Sequence, residues 1–215
     1  MKKRRFLVIA LILALGLIIF GVVIKLFLQK PNFSKLRAGQ DYNVILITLD
    51  TTRADRLGCY GFRNIETPAI DLLASRGVRF EKCYAQTPLT LPSHTSILTG
   101  TLPLFHGVRD NGGFIVPSEL KTMAELFKEK GYETAAFVAA YVRDSKWGLD
   151  QGFDYYFDQF DLSKFKKISL GTVQRPANEV MDEALLWLEK KKGGKFFAWI
   201  HLYDPPHTLR ASAAV

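Results

Sequence analysis

Three strand-like runs constrain this chain more than any other feature. Residues 44–49 form a continuous apolar stretch with β-branched side chains that stops abruptly at Asp50. Such a run predicts a strand covered on both faces, central in a parallel sheet. Residues 132–140 and 196–202 read as two further buried strands. Helical signals lie between them. Thr67-Pro68 places proline at a first helical position, and the apolar spacing of Ile70, Leu72 and Leu73 carries the helix to Gly77. Residues 122–125 read as a capping box, with a helix running on to Gly131. A longer helix is expected over 176–192, with Val180, Ala184, Leu185 and Leu188 on one face. Alternation in 78–84 predicts a strand, and 141–166 reads as irregular, aromatic and acidic. Strand and helix in alternation imply an α/β fold, a mostly parallel sheet flanked by helices.

Within that frame the chemistry gathers on residues 87–100. Thr90 and Ser93 stand beside Pro88 and Pro92, and an apolar helical turn follows, closed by Gly100. Thr90 is therefore expected just before a short helix, where unpaired N–H groups and the positive end of the dipole favour an anion. A hydroxyl there can attack a bound phosphorus or sulfur once its pKa is lowered, most simply by a metal ion. Helix capping is the plainer role for the same threonine. Asp50, at the C-terminal end of a parallel strand, falls where open α/β sheets place their ligand sites.

Composition narrows the partners. The net charge of +8 is concentrated in Lys2, Lys3, Arg4 and Arg5 and in Lys190, Lys191, Lys192 and Lys195, with no basic stripe interleaved with aromatics, so nucleic acid is not expected as a partner. Residues 6–24 are an unbroken apolar run spanning roughly 28 Å as a helix, close to a bilayer's hydrocarbon thickness. Basic residues before it predict a cytoplasmic N-terminus and an exported remainder. No small-residue cleavage site follows, so residues 6–28 read as an uncleaved transmembrane signal anchor after a basic tip, 1–5. Residues 29–41 form a polar linker. Cys59 and Cys83 make no metal or redox motif and read as buried thiols, with pairing open in an oxidising compartment.

Several ordered blocks resemble the sulfatase family of the alkaline phosphatase superfamily. They are residues 43–50, Arg53 to Gly61, Thr67-Pro68 with Leu72-Leu73-Ala74, Gly77 to Phe80, Pro92-Ser93, Leu98-Thr99-Gly100, His106-Gly107-Val108 with Asn111, residues 131–134 and the segment ending at His207. The resemblance runs over about 42–207 and implies a metal-assisted hydrolase of sulfate or phosphate esters, with an anionic ester as substrate. It implies a divalent metal ion (Ca, Mg, Mn or Zn) with Asp50 and Thr90 as ligands. Thr90 and His207 would be catalytic, and His94, His106, Asn111 and His201 would contact substrate.

Three departures bear on those roles. The family pattern has Cys or Ser, then Pro two places on and Arg two further. Here Thr90, Pro92 and His94 stand there, and threonine cannot become formylglycine by that route. Asp50 is followed by Thr51 where the family pairs two aspartates. Further Asp and His ligands of the family lie downstream, and residues 208–215 depart from its pattern, so the 42–207 domain reads as an N-terminal, truncated part. Two other readings stay open: a phospho-group transferase acting on envelope lipids or glycans, and a non-catalytic envelope protein.

Overall fold

The structure is a computed structural model that describes residues 16–17, 20–21, 41–165, 168–191 and 193–203. Two units separate, 1–41 and 42–215. In the first, residues 16–17 and 20–21 are helical. Most of the expected anchor, 6–28, and of the linker lies outside the described residues, as do His207 and the 208–215 tail. Among the described residues no helix is long and apolar enough to cross a membrane.

The second unit is built on four parallel strands, β1 (Val44–Leu49), β2 (Glu133–Val138), β3 (Tyr155–Phe157) and β4 (Phe196–Leu202), in the order β1-β4-β2-β3. Five helices accompany them: α1 (Pro68–Arg76), α2 (Thr90–Thr99), α3 (Pro103–His106), α4 (Met123–Glu129) and α5 (Ala177–Glu189). The α/β class with a mostly parallel sheet is as the sequence implies.

Strand alternation divides the core in two. From β4, Phe197 and Trp199 join Leu91 and Leu98 of α2 and Ala124 of α4 on one face. Ile200 joins Phe137 of β2 and Val180 and Ala184 of α5 on the other. That second face explains a correction. β1 is an edge strand, not a central one, and it pairs with β4. Val44 and Leu46 pack on the α2 side, whereas Ile45, Ile47 and Leu49 are 46%, 49% and 39% exposed. α5 packs on β4 and β2 and leaves these three side chains largely open. A continuous apolar run thus signals apolarity on both faces without guaranteeing that both are covered.

Three smaller expectations also change. Residues 78–84 are irregular, with a bend at 81–82, rather than a strand; Val78 and Phe80 are exposed, and no described strand pairs with the stretch. The irregular stretch 141–166 contains β3, which pairs in parallel with β2. Both cysteines are free thiols, and neither is buried: Cys83 is exposed and Cys59 partly so.

The capping box is present as expected. Thr122 Oγ1 accepts from Glu125 N at 3.2 Å, and Glu125 Oε2 accepts from Thr122 N at 2.7 Å. The Thr122 hydroxyl also donates to Gln151 O at 2.8 Å, tying the start of α4 to the turn before β3. Gly152 completes that turn at φ +86°, where a Cβ would lie 2.3 Å from Glu125 N. Backbone meets backbone there, so neither side can yield. Gly152→Ala is expected to cost about 3 kcal/mol or more in urea denaturation. An unchanged midpoint would show that the turn and α4 are not in contact.

Candidate active site

Parallel strands bring their C-terminal ends to one edge of the sheet. The register sets Thr48 of β1 and Val138 of β2 on either side of His201 of β4. Asp50 follows β1 directly, its N–H donating to Leu202 O at 2.9 Å, so its carboxylate sits beside the end of β4. Across the edge stands the N-terminus of α2, whose first residue is Thr90 itself. Asp50, Thr51, Thr87, Thr90, Ser93 and His94 are among the residues lining a pocket of about 420 Å³.

The Asp50 carboxylate is the hub. Oδ1 accepts the Thr51 N–H at 2.8 Å. Oδ2 accepts the Thr90 hydroxyl at 3.3 Å and Arg143 Nη2 at 2.9 Å, and His201 Nε2 lies 3.6 Å away. The last distance is an electrostatic contact rather than a hydrogen bond. Thr51 has φ 57°, a left-handed conformation that a β-branched residue adopts only under strain. The strain buys the Thr51 N–H contact that orients Asp50.

Two histidines complete the cluster. His201 is fully buried, and its Nδ1 accepts the Ala139 N–H at 3.4 Å, which puts the proton on Nε2, towards Asp50. His94 Nδ1 lies 2.8 Å from Thr90 O, a contact that only a donor can make, so Nδ1 carries the proton. Arg143 Nη2 lies 3.0 Å from that Nδ1 and 3.3 Å from Nε2, against the ring rather than on the lone pair of either nitrogen. His94 also packs edge-on against His201, ring centres 5.2 Å apart.

These contacts set the charges. Burial alone would raise the Asp50 carboxyl, but the nearby His201 and the Arg143 guanidinium outweigh it and hold the group well below the usual carboxylate range. Burial draws Arg143 down to about 10, with Asp50 opposing, so it remains a cation at neutral pH. Burial, then the Arg143 charge, lowers His201 to about 3, and the same two causes push His94 well below its ordinary value. Among the described residues the site therefore holds one carboxylate, one guanidinium and two neutral imidazoles.

The family description Sulfatase matches residues 42–213. The chain belongs to the sulfatase family. An N-acetylglucosamine-6-O-sulfatase of Bacteroides thetaiotaomicron is 29% identical over 178 residues, covering 77% of this chain and 30% of that protein. An ulvan-active sulfatase of Formosa agariphila is 36% identical over 127 residues, 53% of this chain and 23% of that protein. A solved structure in complex with its substrate, D-glucosamine-2-N,6-O-disulfate, is similar at TM-score 0.64 and 25% identity, over 79% of this chain and 35% of that one. A phosphonate monoester hydrolase of Agrobacterium radiobacter shares the fold at TM-score 0.60 and 21% identity, over 76% of this chain and 41% of that one. The chain thus spans 30% and 23% of the two curated relatives' lengths.

Of the residues expected at a sulfatase site, Asp50, Thr90, His94 and His201 come together. His106 and Asn111 are occupied by neighbours away from the carboxylate. His106 is buried, its Nδ1 accepting from Val108 N at 3.1 Å and its Nε2 lying 3.0 Å from Ser96 Oγ. Asn111 Oδ1 accepts the Leu91 N–H at 2.8 Å, capping the first turn of α2 from a distance. His207 lies outside the described residues. Arg143 was missed from the sequence. The family pattern directs attention to position 94 for its arginine, whereas this guanidinium arrives from a short 3-10 turn, Tyr141–Arg143, beyond β2. An arginine in an apolar, aromatic stretch is the one signal that could have marked it.

Two measurements follow from this geometry. Thr51→Gly removes the strain at an exposed side chain and is expected to raise stability by about 1 kcal/mol in urea denaturation; a fall would show that the threonine side chain contributes. For His201 the folded pKa is below the unfolded 6.5, so the unfolded chain binds the proton first as the pH falls. Its contribution is complete above about 6.5 and declines from there towards about 3, and His94 acts in the same direction. The metal-free protein should show a lower urea midpoint at pH 5 than at pH 7.5, with a smaller drop in His201→Asn. Equal midpoints at the two pH values would mean that the imidazoles are accessible to protons in the folded state.

Proposed function

We propose that this site hydrolyses sulfate or phosphate esters, with the Thr90 hydroxyl as nucleophile. The observation that carries the reading is that hydroxyl, on the pocket wall at the first residue of α2, donating to Asp50 Oδ2 at 3.3 Å. The N-terminus of α2 suits an anionic ester group in front of it. The Asp50 carboxyl is held too acidic to take the hydroxyl's proton, so it orients Thr90 rather than serving as a base. As Thr90 Oγ1 attacks the bound sulfur or phosphorus its proton passes to pocket water, the ester oxygen leaves with the electrons of the broken bond, and a second water then cleaves the threonyl ester and restores the hydroxyl. His207 contacts the ester group or protonates the leaving oxygen. With threonine at this position, formylglycine chemistry has no part in the mechanism.

A divalent cation, when bound, would supply the charge that lowers the hydroxyl's pKa. The Asp50 carboxylate and Thr90 hydroxyl are hard oxygen donors of the kind such an ion prefers, and they would hold one side of it. Among the described residues no group of three or more His, Cys, Asp or Glu could hold a metal. In this reading residues 6–28 anchor the protein in a membrane with the N-terminus cytoplasmic, and residues 42–207 are the N-terminal part of a larger catalytic unit. Sulfated sugars are the favoured substrates, in line with the names of the two bacterial relatives and the bound ligand of the solved structure. Threonine as nucleophile next to a membrane anchor also suits transfer of a phospho-group to an envelope lipid or glycan.

The test compares nitrophenyl sulfate and nitrophenyl phosphate turnover by the wild-type protein, Thr90→Ala and Asp50→Asn. Both variants are expected to lose on the order of a thousandfold in kcat/KM, and a chelator should suppress the wild type. Intact-mass analysis after brief incubation should show one sulfo or phospho group on wild type and none on Thr90→Ala. Turnover that survives Thr90→Ala would end the nucleophile assignment.

A further inference from the structure

We infer that Arg143 is a resident counter-cation at Asp50, positioned to weaken the carboxylate's hold on a divalent ion. This deepens the reading of Asp50 as a metal ligand and rests on it. Arg143 is completely buried, and one nitrogen serves the whole cluster: Nη2 donates to Asp50 Oδ2 at 2.9 Å and lies against the His94 ring, 3.0 Å from Nδ1 and 3.3 Å from Nε2. Among the described residues Nε and Nη1 have no hydrogen-bond partner.

The second buried arginine shows what a purely structural role looks like. Arg175 donates to Val138 O at 3.3 Å, to Phe157 O at 3.4 Å and to Gln159 O, and its guanidinium lies 3.9 Å from the Phe157 ring centre. Its donors are spent on backbone carbonyls around it, and its flat face is stacked. Among the described residues Arg143 leaves donors unspent and places its charge against the one carboxylate lining the pocket. A buried guanidinium with unpaired donors is costly, and what it gains here is the Coulomb attraction of Asp50.

That attraction has a consequence for any cation in the pocket. An ion bound to Oδ2 would stand a few ångströms from the guanidinium and be repelled by it in a poorly screened setting. Oδ1, the oxygen clear of Arg143, already accepts the Thr51 N–H. Thr90 donates to the same Oδ2 that Arg143 holds, so the guanidinium also fixes the carboxylate's orientation toward the hydroxyl. Arg143 is in this sense a positioning residue, acting through Asp50.

Calcium titration calorimetry on the full 215-residue chain, with Arg143→Gln and Asp50→Asn beside it, tests this. Glutamine keeps a donor for Oδ2 and removes the charge. The expected result is that Arg143→Gln binds Ca²⁺ at least about tenfold more tightly than wild type, a gain that a merely structural arginine would not produce. Asp50→Asn should abolish binding in both backgrounds. If Asp50→Asn abolishes binding but Arg143→Gln leaves it unchanged or weaker, the counter-cation role is overturned and the metal reading stands. If Ca²⁺ binding is absent or indifferent to Asp50→Asn, the metal reading falls and this inference with it. Should Arg143→Gln fail to fold, the ¹⁵N signals of the solvent-protected guanidinium in unmodified protein decide: they should shift on Ca²⁺ addition, and unmoved signals overturn the inference.

Discussion

The ion pair between Asp50 and Arg143 is the interaction around which the sheet edge is arranged. Its partners are 93 residues apart in the chain, and one side chain is fully buried while the other is 13% exposed. Removing one member of such a pair typically costs about 3–5 kcal/mol, because the other is left charged without compensation. β4 lies between β1 and β2, so Asp50, which follows the first of these, and Arg143, just beyond the second, meet across the end of β4. Sheet order is thus what brings the charges together, and His201, on the strand between them, is placed there by the same register.

The surroundings are adjusted to that pair. Alternation along β4 sends His201 to the same face as Trp199, where α2 packs and contributes His94. Both rings are kept neutral by burial and by the guanidinium, so they add hydrogen-bonding shape without adding charge. Thr90 is delivered by a helix whose start is secured from elsewhere: Leu89 supplies no side-chain cap, and Asn111 accepts the Leu91 N–H instead. The threonine hydroxyl is therefore not consumed as a cap and remains directed at Asp50. In helix-capping terms this is unusual for a threonine near an N-terminus.

Much of this was legible in the sequence. Local signals identified β4, the capping box of α4, proline at the start of α1 and the helical character of 177–189, because each depends on neighbours within a few residues. Asp50 and Thr90 were legible because a strand end and a helix start are the places where parallel sheets expose polar groups. What depended on remote partners was not. The edge position of β1 follows from how far α5 reaches, and the absence of a strand at 78–84 from the lack of a ladder beside it. Arg143 carried no motif; its role comes from a turn that closes onto a carboxylate many residues away. Cys83 is exposed because the loop that carries it packs against little, which thiol hydrophobicity alone does not reveal.

The charge balance bears on how an anionic ester could be held. One carboxylate and one guanidinium cancel, and two neutral imidazoles add nothing, so these four groups have no net pull on a sulfate or phosphate. The chain's surplus of positive charge lies in basic clusters at 2–5 and 190–195, remote in sequence from the pocket-forming segments. Among the described residues, attraction would then come from the N-terminus of α2, worth at most a couple of kcal/mol in a partly buried setting, or from a cation added to the site. A sulfate monoester is a weak partner for dipoles alone in water, and a divalent ion beside Asp50 would change the local sign outright. On the proposed reading, the neutral balance built around Arg143 would make the site's affinity for anions conditional on that ion, rather than constant.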